Sequence, residues 1–390
     1  MLNFTDPALN LALALLPYPL NDADKARALA LRPLVQDWEK FLFWAWRHTI
    51  VGAIYANLKF LPADFLPAEV FQSLKQSARQ ASLRNMQLIG TITKIDRLFR
   101  ANQIDYYFLK GPLLSEFIHK TYNLRASSDV DLFVTPENFA RADALLRREN
   151  YQRYEPSIEL SPLQDRVFRR YHHHFCYYAP QNHVSIELHW ALTDPHYIGP
   201  KTSQAWFARG IEISTPEIKT KTLSREDYLA YAFAHGAMHN WEHAKYFLDI
   251  LAILRNPAGL DWEQIRAALR EENLERMAGL GLRLMNQLWD EPVPEPLKGL
   301  TETSAVIRFL ESYCLRALEE PVADESISPR RHLFWILLKP GWRFRLFHLS
   351  TILVSTRDWN LVPLPDFLFP LYFFIRPLAW LQNKWAKRAH

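Results

Sequence analysis

The stretch Arg125-Ala126-Ser127-Ser128-Asp129-Val130-Asp131-Leu132-Phe133-Val134 decides how this chain is read. Its last six residues alternate as a β-strand does, so Val130, Leu132 and Val134 share one face and Asp129, Asp131 and Phe133 the other. The apolar face can pack on helices. The two aspartates then emerge together, roughly 6–7 Å apart at about 3.3 Å rise per residue. Neighbouring carboxylates repel unless a proton or a cation lies between them. Hard oxygen donors with charge to neutralise point to Mg²⁺ or Mn²⁺. The same Asp-x-Asp pattern also occurs on solvated strands that bind nothing.

A third carboxylate lies in His183-Val184-Ser185-Ile186-Glu187-Leu188-His189-Trp190, where Val184, Ile186, Leu188 and Trp190 alternate with Ser185, Glu187 and His189. Pairing of this strand beside the first brings Glu187 to the aspartates; otherwise Glu187 is a solvated strand residue. Ala179-Pro180-Gln181-Asn182 reads as a hairpin turn between a strand over 166–178 and this one. Upstream, Lys110-Gly111-Pro112 ends a strand over 106–109 and opens a helix over 112–120. A cation beside a helix N-terminus suits phosphate, with a plain surface lysine as the alternative. Arg125 suits an ion pair with Asp131, a bidentate contact to phosphate, or a purely structural ion pair. His189 shares the face of Glu187, placed to touch substrate or to donate a hydrogen bond that fixes the carboxylates.

In this order the motifs resemble the nucleotidyltransferase superfamily with the DNA polymerase β-like palm. Within it they are similar to a bacterial branch of largely uncharacterised nucleotidyltransferases that also carries a His-Gly-x-x-His helix, here His235-Gly236-Ala237-Met238-His239, followed by Trp241 and Asp249. The resemblance covers residues 85–255. It implies an α+β fold, with a small mixed-sheet palm core embedded in a predominantly helical protein. It implies a metal-dependent transferase that moves a nucleoside monophosphate from a nucleoside triphosphate, ATP by default, to an acceptor hydroxyl. Asp129, Asp131 and Glu187 would be the catalytic residues and hold two Mg²⁺ (or Mn²⁺) ions. Lys110, Gly111, Ser115, Arg125 and Ser128 would bind the nucleotide, and His189, His235 and His239 would meet substrate or support the site. The acceptor is expected to be a small molecule or sugar, with a tRNA or protein as in toxin-like members the second option. One departure stands out: superfamily members open with Gly-Ser or Gly-Gly, whereas this turn is Lys110-Gly111-Pro112 with its nearest hydroxyl at Ser115. That turn favours a rival reading, a non-catalytic scaffold or binding protein at a membrane surface.

The chain has 390 residues, 49% hydrophobic and 14% aromatic, enough for a sizeable core. A net charge of +4 is too mild to imply nucleic acid. Cys176 and Cys314 show neither disulfide nor zinc spacing, which suits a reducing cytoplasm. The N-terminus lacks the basic start of a signal peptide, and no uncharged apolar run reaches the ~18–20 residues that span a bilayer. A soluble, cytoplasmic protein is therefore expected. Its organisation reads as an N-terminal helical region 1–100, a palm core 101–215, a helical domain 216–291 and a C-terminal region 292–390, with Pro292, Pro294 and Pro296 as linker. Helices are predicted over 34–48, 71–99, 135–149, 224–239, 243–255, 261–271, 274–289, 303–319 and 329–339. His172, His173 and His174 would split between the faces of a strand and make a poor zinc site. His235, His239 and His243 would line one face of a continuous helix, either toward the cleft or as a packed polar stripe. The run from Arg330 to Phe347 interleaves cations with aromatics, and Phe367–Trp385 is strongly apolar with Lys384, Lys387 and Arg388 at its end. That composition suits a helical subdomain packing its rings inward, or peripheral contact with a membrane.

Overall fold

Five short strands, each four to six residues except for a shorter edge, form the sheet that organises the chain. They are β1 (Tyr106–Phe108), β2 (Asp129–Val134), β3 (Gln152–Glu155), β4 (His174–Ala179) and β5 (Val184–His189). The order is β1-β2-β5-β4-β3, and only β2 and β5 run parallel. A separate ribbon pairs β6 (Ile211–Ser214) with β7 (Lys219–Thr222). The computed structural model describes residues 4–181, 183–215, 218–321 and 328–376. Most remaining elements are helices, so the fold is the expected α+β arrangement of a small mixed sheet in a helical frame.

Alternation within the strands decides which face meets which helix. Val130, Leu132, Val134, Ile186 and Leu188 join one core with Ile92, Ile95 and Phe99 of the long helix Ala68–Ala101 and Phe139 and Leu146 of helix Pro136–Arg148. Each such side chain contributes about 1.5–3 kcal/mol on burial. Phe133 and Tyr107, from the opposite face, join a second core with Leu229 and Phe233 of helix Arg225–Met238. That second core also takes in Leu9 near the N-terminus and Leu338 far downstream. The sheet is thus covered on both faces.

Three local expectations change. The helix predicted over 34–48 begins at Trp38, where Asp37 accepts the amide of Lys40 at 2.9 Å, and Pro33 lies in a 3₁₀ turn, Arg32–Leu34. The strand predicted over 166–178 is half helix: Ser161 and Gln164 form a reciprocal capping box with Pro162 in the first turn, and the helix runs to Tyr171 before β4 starts. The continuous histidine helix stops at Met238, because Asn240 and Trp241 take left-handed φ of 54° and 53°. His243 therefore leaves the His235 face and lies against Arg47, 2.8 Å from its guanidinium.

In the C-terminal part, Phe334, Trp359, Phe369 and Tyr372 turn inward while Trp342, Phe367 and Phe374 stay exposed. Pro377, Lys384, Trp385, Lys387 and Arg388 lie outside the described residues. Among the described residues no helix is long and apolar enough to cross a membrane.

The N-terminal helices also grip the loop that leads into β2. Gly52, in helix Val51–Asn57, lies so close to this loop that an added Cβ would sit 2.2 Å from the carbonyl oxygen of Asn123 and 2.8 Å from that of Leu124. Backbone on both sides leaves no flexible group to yield. Gly52→Ala is expected to destabilise the protein by about 1–3 kcal/mol despite the better helix propensity of alanine. The denaturant midpoint checks this, and an unchanged or raised midpoint would contradict it.

Candidate active site

The parallel ladder sets Asp131 directly opposite Glu187, with Asp129 two residues earlier opposite Ser185. Leu109, the residue after β1, donates its amide to the Asp131 carbonyl at 3.1 Å. Lys110 thereby follows at the sheet edge, and Gly111 turns the chain into helix Pro112–His119 with φ 91°. That left-handed value favours glycine. The carboxylates open on a cavity of about 270 Å³, also lined by Tyr231 and His235 of helix Arg225–Met238 and by Lys245 and Tyr246. A wider cavity of about 1060 Å³ beside Arg283 and Glu311 carries less chemistry. Those two side chains neutralise each other at 3.0 Å.

Three carboxylates face one lysine ammonium and one imidazole. Lys110 Nζ lies 2.9 Å from Asp131 Oδ1, and His189 Nε2 lies 3.2 Å from the same oxygen and 3.3 Å from Glu187 Oε2. Burial works against the Lys110 ammonium, yet Asp131 and then Glu187 and Asp129 hold its pKa well above the usual lysine value. Burial likewise opposes charge on His189, and its bonds to Asp131 and Glu187 outweigh it and raise the pKa. Burial pushes Glu187 up, but the His189 bond and the Lys110 charge hold it far below the ordinary carboxylate range. Asp129 is left over. Burial, then Asp131 and Glu187, drive its pKa up to about 6 against the pull of Lys110, even though Ser128 Oγ donates to it at 3.2 Å.

Other site residues fall on either side of the cavity wall. Arg125 reaches the cavity edge, but its Nη1 is bound to Asp249 Oδ2 at 2.6 Å rather than to Asp131. The same Asp249 accepts from Tyr228 Oη at 2.6 Å and meets His119 Nε2 at 2.7 Å, all buried. This cluster bolts helices Pro112–His119, Arg225–Met238 and Lys245–Arg255 to the loop before β2. Asn85 adds two bonds from the long helix, to the carbonyls of Tyr122 (2.7 Å) and Arg125 (3.0 Å). Ser115 is turned away: it is buried and donates to the Thr121 carbonyl at 2.8 Å. His235 lines the cavity, kept neutral by burial and by the charge of Lys110. His239 lies at the helix end with its ring stacked on Tyr246, centroids 5.3 Å apart.

Sequence reasoning missed Tyr231, Lys245 and Tyr246. Tyr231 sits one turn before His235 and was findable as its helical neighbour. Lys245, whose pKa burial and then Arg125 and Lys110 push down to about 8, carries no local signal. His173 and His174 also reach the cavity, where β4 delivers them beside β5.

A mixed palm-like sheet with clustered carboxylates at a parallel pair, framed by helices, defines a nucleotidyltransferase-like α+β protein. Residues 35–290 match the family described as uncharacterised nucleotidyltransferase, and the chain belongs to that family. No curated protein and no solved structure matches it.

The surplus charge has a thermodynamic signature. Because the folded pKa of Asp129 is raised from 3.8 to about 6, the native state binds more protons than the unfolded chain between these values, so stability falls as pH rises through them. Without divalent cation, Asp129→Asn is expected to be more stable than wild type by about 1–3 kcal/mol at pH 7, after allowing for partial solvent screening. The difference should vanish near pH 4. Melting curves at both pH values check this, and equal stability at pH 7 would refute it.

Proposed function

We propose that this protein is a metal-dependent nucleotidyltransferase that moves a nucleoside monophosphate from a nucleoside triphosphate to an acceptor hydroxyl. The observation that carries the reading is the surplus of carboxylates: Asp129, Asp131 and Glu187 converge on one cavity, and Lys110 is the lysine that pairs directly with one of them, Asp131. An all-oxygen donor set with surplus charge fits Mg²⁺ or Mn²⁺. Two such ions, when bound by Asp129, Asp131 and Glu187, would supply charge neutralisation for the triphosphate and the departing pyrophosphate. The chain's own groups do the rest. Lys110 and Lys245, which both line the cavity, would offer ammonium groups to the phosphates. Gly111 and Ser128 border the same space with backbone and hydroxyl. His189 keeps Asp131 and Glu187 oriented, and Arg125, through Asp249, holds the loop that delivers Asp129. Tyr231, Tyr246 and His235 give the cavity a ring-lined surface against which an acceptor, a small molecule or sugar by preference, can lie.

The rival reading, a binding protein without catalysis, draws on one contact: Lys110 neutralises Asp131 directly, as a resident cation would. Calorimetry separates the two. Wild-type protein is expected to bind one of ATP, GTP, CTP or UTP only with Mg²⁺ or Mn²⁺. Asp129→Asn/Asp131→Asn should lose more than the roughly 10–100-fold typical of removing a mere outer partner of a metal ligand. Metal-independent binding, or none, would favour the rival.

We further propose peripheral contact with an anionic membrane surface. Helix Trp342–Thr351 exposes Trp342, Leu346 and Leu349 along one side, with Arg343 and Arg345 exposed between them. Rings and cations in that mixture suit lipid headgroups. Wild-type protein should float with vesicles containing anionic lipid and not with neutral ones, and Trp342→Ser/Leu346→Ser should stay in the dense fraction. Flotation of both forms alike would dismiss this surface.

A further inference from the structure

Beside the carboxylates lies a second set of ligating side chains that no single element contains. His173 precedes β4 and His174 opens it, and the antiparallel register sets His174 directly across from His189 at the end of β5. The ring centroids stand 4.3 Å apart for His173 and His174, 4.9 Å for His174 and His189, and 5.2 Å for His173 and His189. One nitrogen from each ring lies within 4.8 Å of the other two. Three imidazoles on one tetrahedral ion, with metal–nitrogen bonds of about 2.0–2.1 Å, hold their centroids about 5 Å apart and their nitrogens about 3.3 Å apart. The rings therefore already have the spacing of a ligand set, and side-chain rotation alone draws the nitrogens in.

What surrounds the nitrogens is an independent observation. His173 Nδ1 faces Asp194 at 2.6 Å, which leaves Nε2 as its donor atom. A carboxylate behind a histidine in this way fixes the tautomer and raises the basicity of a metal ligand. His189 gives Nε2 to Asp131 and Glu187, while its Nδ1 is buried without a hydrogen-bond partner. His174 Nδ1 is buried without a partner as well. Buried polar atoms are nearly always satisfied, and two orphaned nitrogens on adjacent rings, with a third ring braced by a carboxylate, share one remedy.

We propose that His173, His174 and His189 bind one divalent cation of the zinc class, separate from the hard ions of the aspartates. Imidazole nitrogens select Zn²⁺, Co²⁺ or Ni²⁺ over Mg²⁺, whereas the all-oxygen set of Asp129 and Asp131 has the opposite preference. His173 and His174 line the cavity, so the fourth ligand position opens toward it. Through His189, the ion would stand back to back with Asp131 and Glu187. Only what that open position would meet rests on the transferase reading; the binding does not.

The test uses Co²⁺ as probe on the full chain with Mg²⁺ in large excess, followed by visible absorption and calorimetry. Wild-type protein is expected to take up one equivalent of Co²⁺ with the intense d–d bands of a tetrahedral site. His173→Ala and His174→Ala should each weaken it by more than the roughly 10–100-fold of losing an outer partner. Asp194→Asn, which leaves all three rings in place, should weaken it within that range with an unchanged circular dichroism spectrum, and so decides the matter if the alanine variants fail to fold. Asp129→Asn should retain the cobalt site even if it abolishes triphosphate binding, which separates failure of this proposal from failure of the transferase reading. Cobalt binding that excess Mg²⁺ displaces, that survives both histidine changes and Asp194→Asn, or that instead disappears in Cys176→Ser, would overturn it.

Discussion

Asp131 stands across a parallel ladder from Glu187, and the rest of the site takes its position from that pairing. β1 hangs on the far side of β2, so Lys110 emerges next to Asp131; β4 hangs on the far side of β5, so its first residues emerge next to His189. Because side chains alternate strictly, a one-residue slip of β2 against β5 would send Asp129 and Asp131 into the apolar core and Phe133 with them. The buried faces forbid such a slip: Val130, Leu132 and Val134 on one side, Phe133 on the other. Hydrophobic burial, a non-directional force, thus sets the angstrom-scale geometry of charged groups.

The charge cluster also needs a rigid approach to β2, and that is the task of Asp249. Three side chains from separate parts of the chain meet around it in a dry setting, with Arg125, His119 and Tyr228 at 2.6–2.7 Å from its two oxygens. Breaking a buried pair of this kind by removing one partner costs about 3–5 kcal/mol, because a charge is left without compensation. The arrangement ties the helices after the sheet to the loop that leads into β2. It also explains why an arginine four residues ahead of Asp129 is spent on the frame rather than pointed at Asp131.

Much of this was legible in the sequence, and the parts that were not share a cause. Strict alternation in 129–134 and 184–189 predicts both strands, their faces and the convergence of their carboxylates. Ser224 predicts the start of the next helix, where its side chain accepts the Asp227 amide at 3.1 Å. Misreadings arose where a distant partner overrides a local pattern. The four-residue spacing of His235, His239 and His243 promises one helix, but Gly236 leaves room for the Trp241 ring to fold back against the helix, and the chain turns there. Ser115 is the first hydroxyl after the Lys110-Gly111-Pro112 turn in sequence, but on a helix it falls on the inner side and bonds to Thr121. The run His172-His173-His174 reads as a poor metal site in sequence, and the ring that lies beside His173 and His174, His189, comes fifteen residues later on another strand. Lys245 and Tyr246 reach the cavity from the helix whose Asp249, one turn on, is bound to Arg125.

The contact between Lys110 and Asp131 bears on whether the unusual Lys-Gly-Pro turn argues against catalysis. A buried acidic cluster must hold some cation or a proton to be stable. In the metal-free state Lys110 fills that need in part, and a proton on Asp129 below about pH 6 fills the remainder. A divalent ion entering the cluster would meet the same need more strongly than one ammonium at 2.9 Å. Lys110 would then be released toward the cavity, where a triphosphate offers the next anion. On the proposed function, the lysine would substitute for metal in one state and bind phosphate in the other. On that reading, this charge would stand in for the Gly-Ser amides and hydroxyl that are absent here. The turn is therefore compatible with transfer chemistry, and Gly111, at φ 91°, is what lets the chain reverse sharply enough to place that charge between the two.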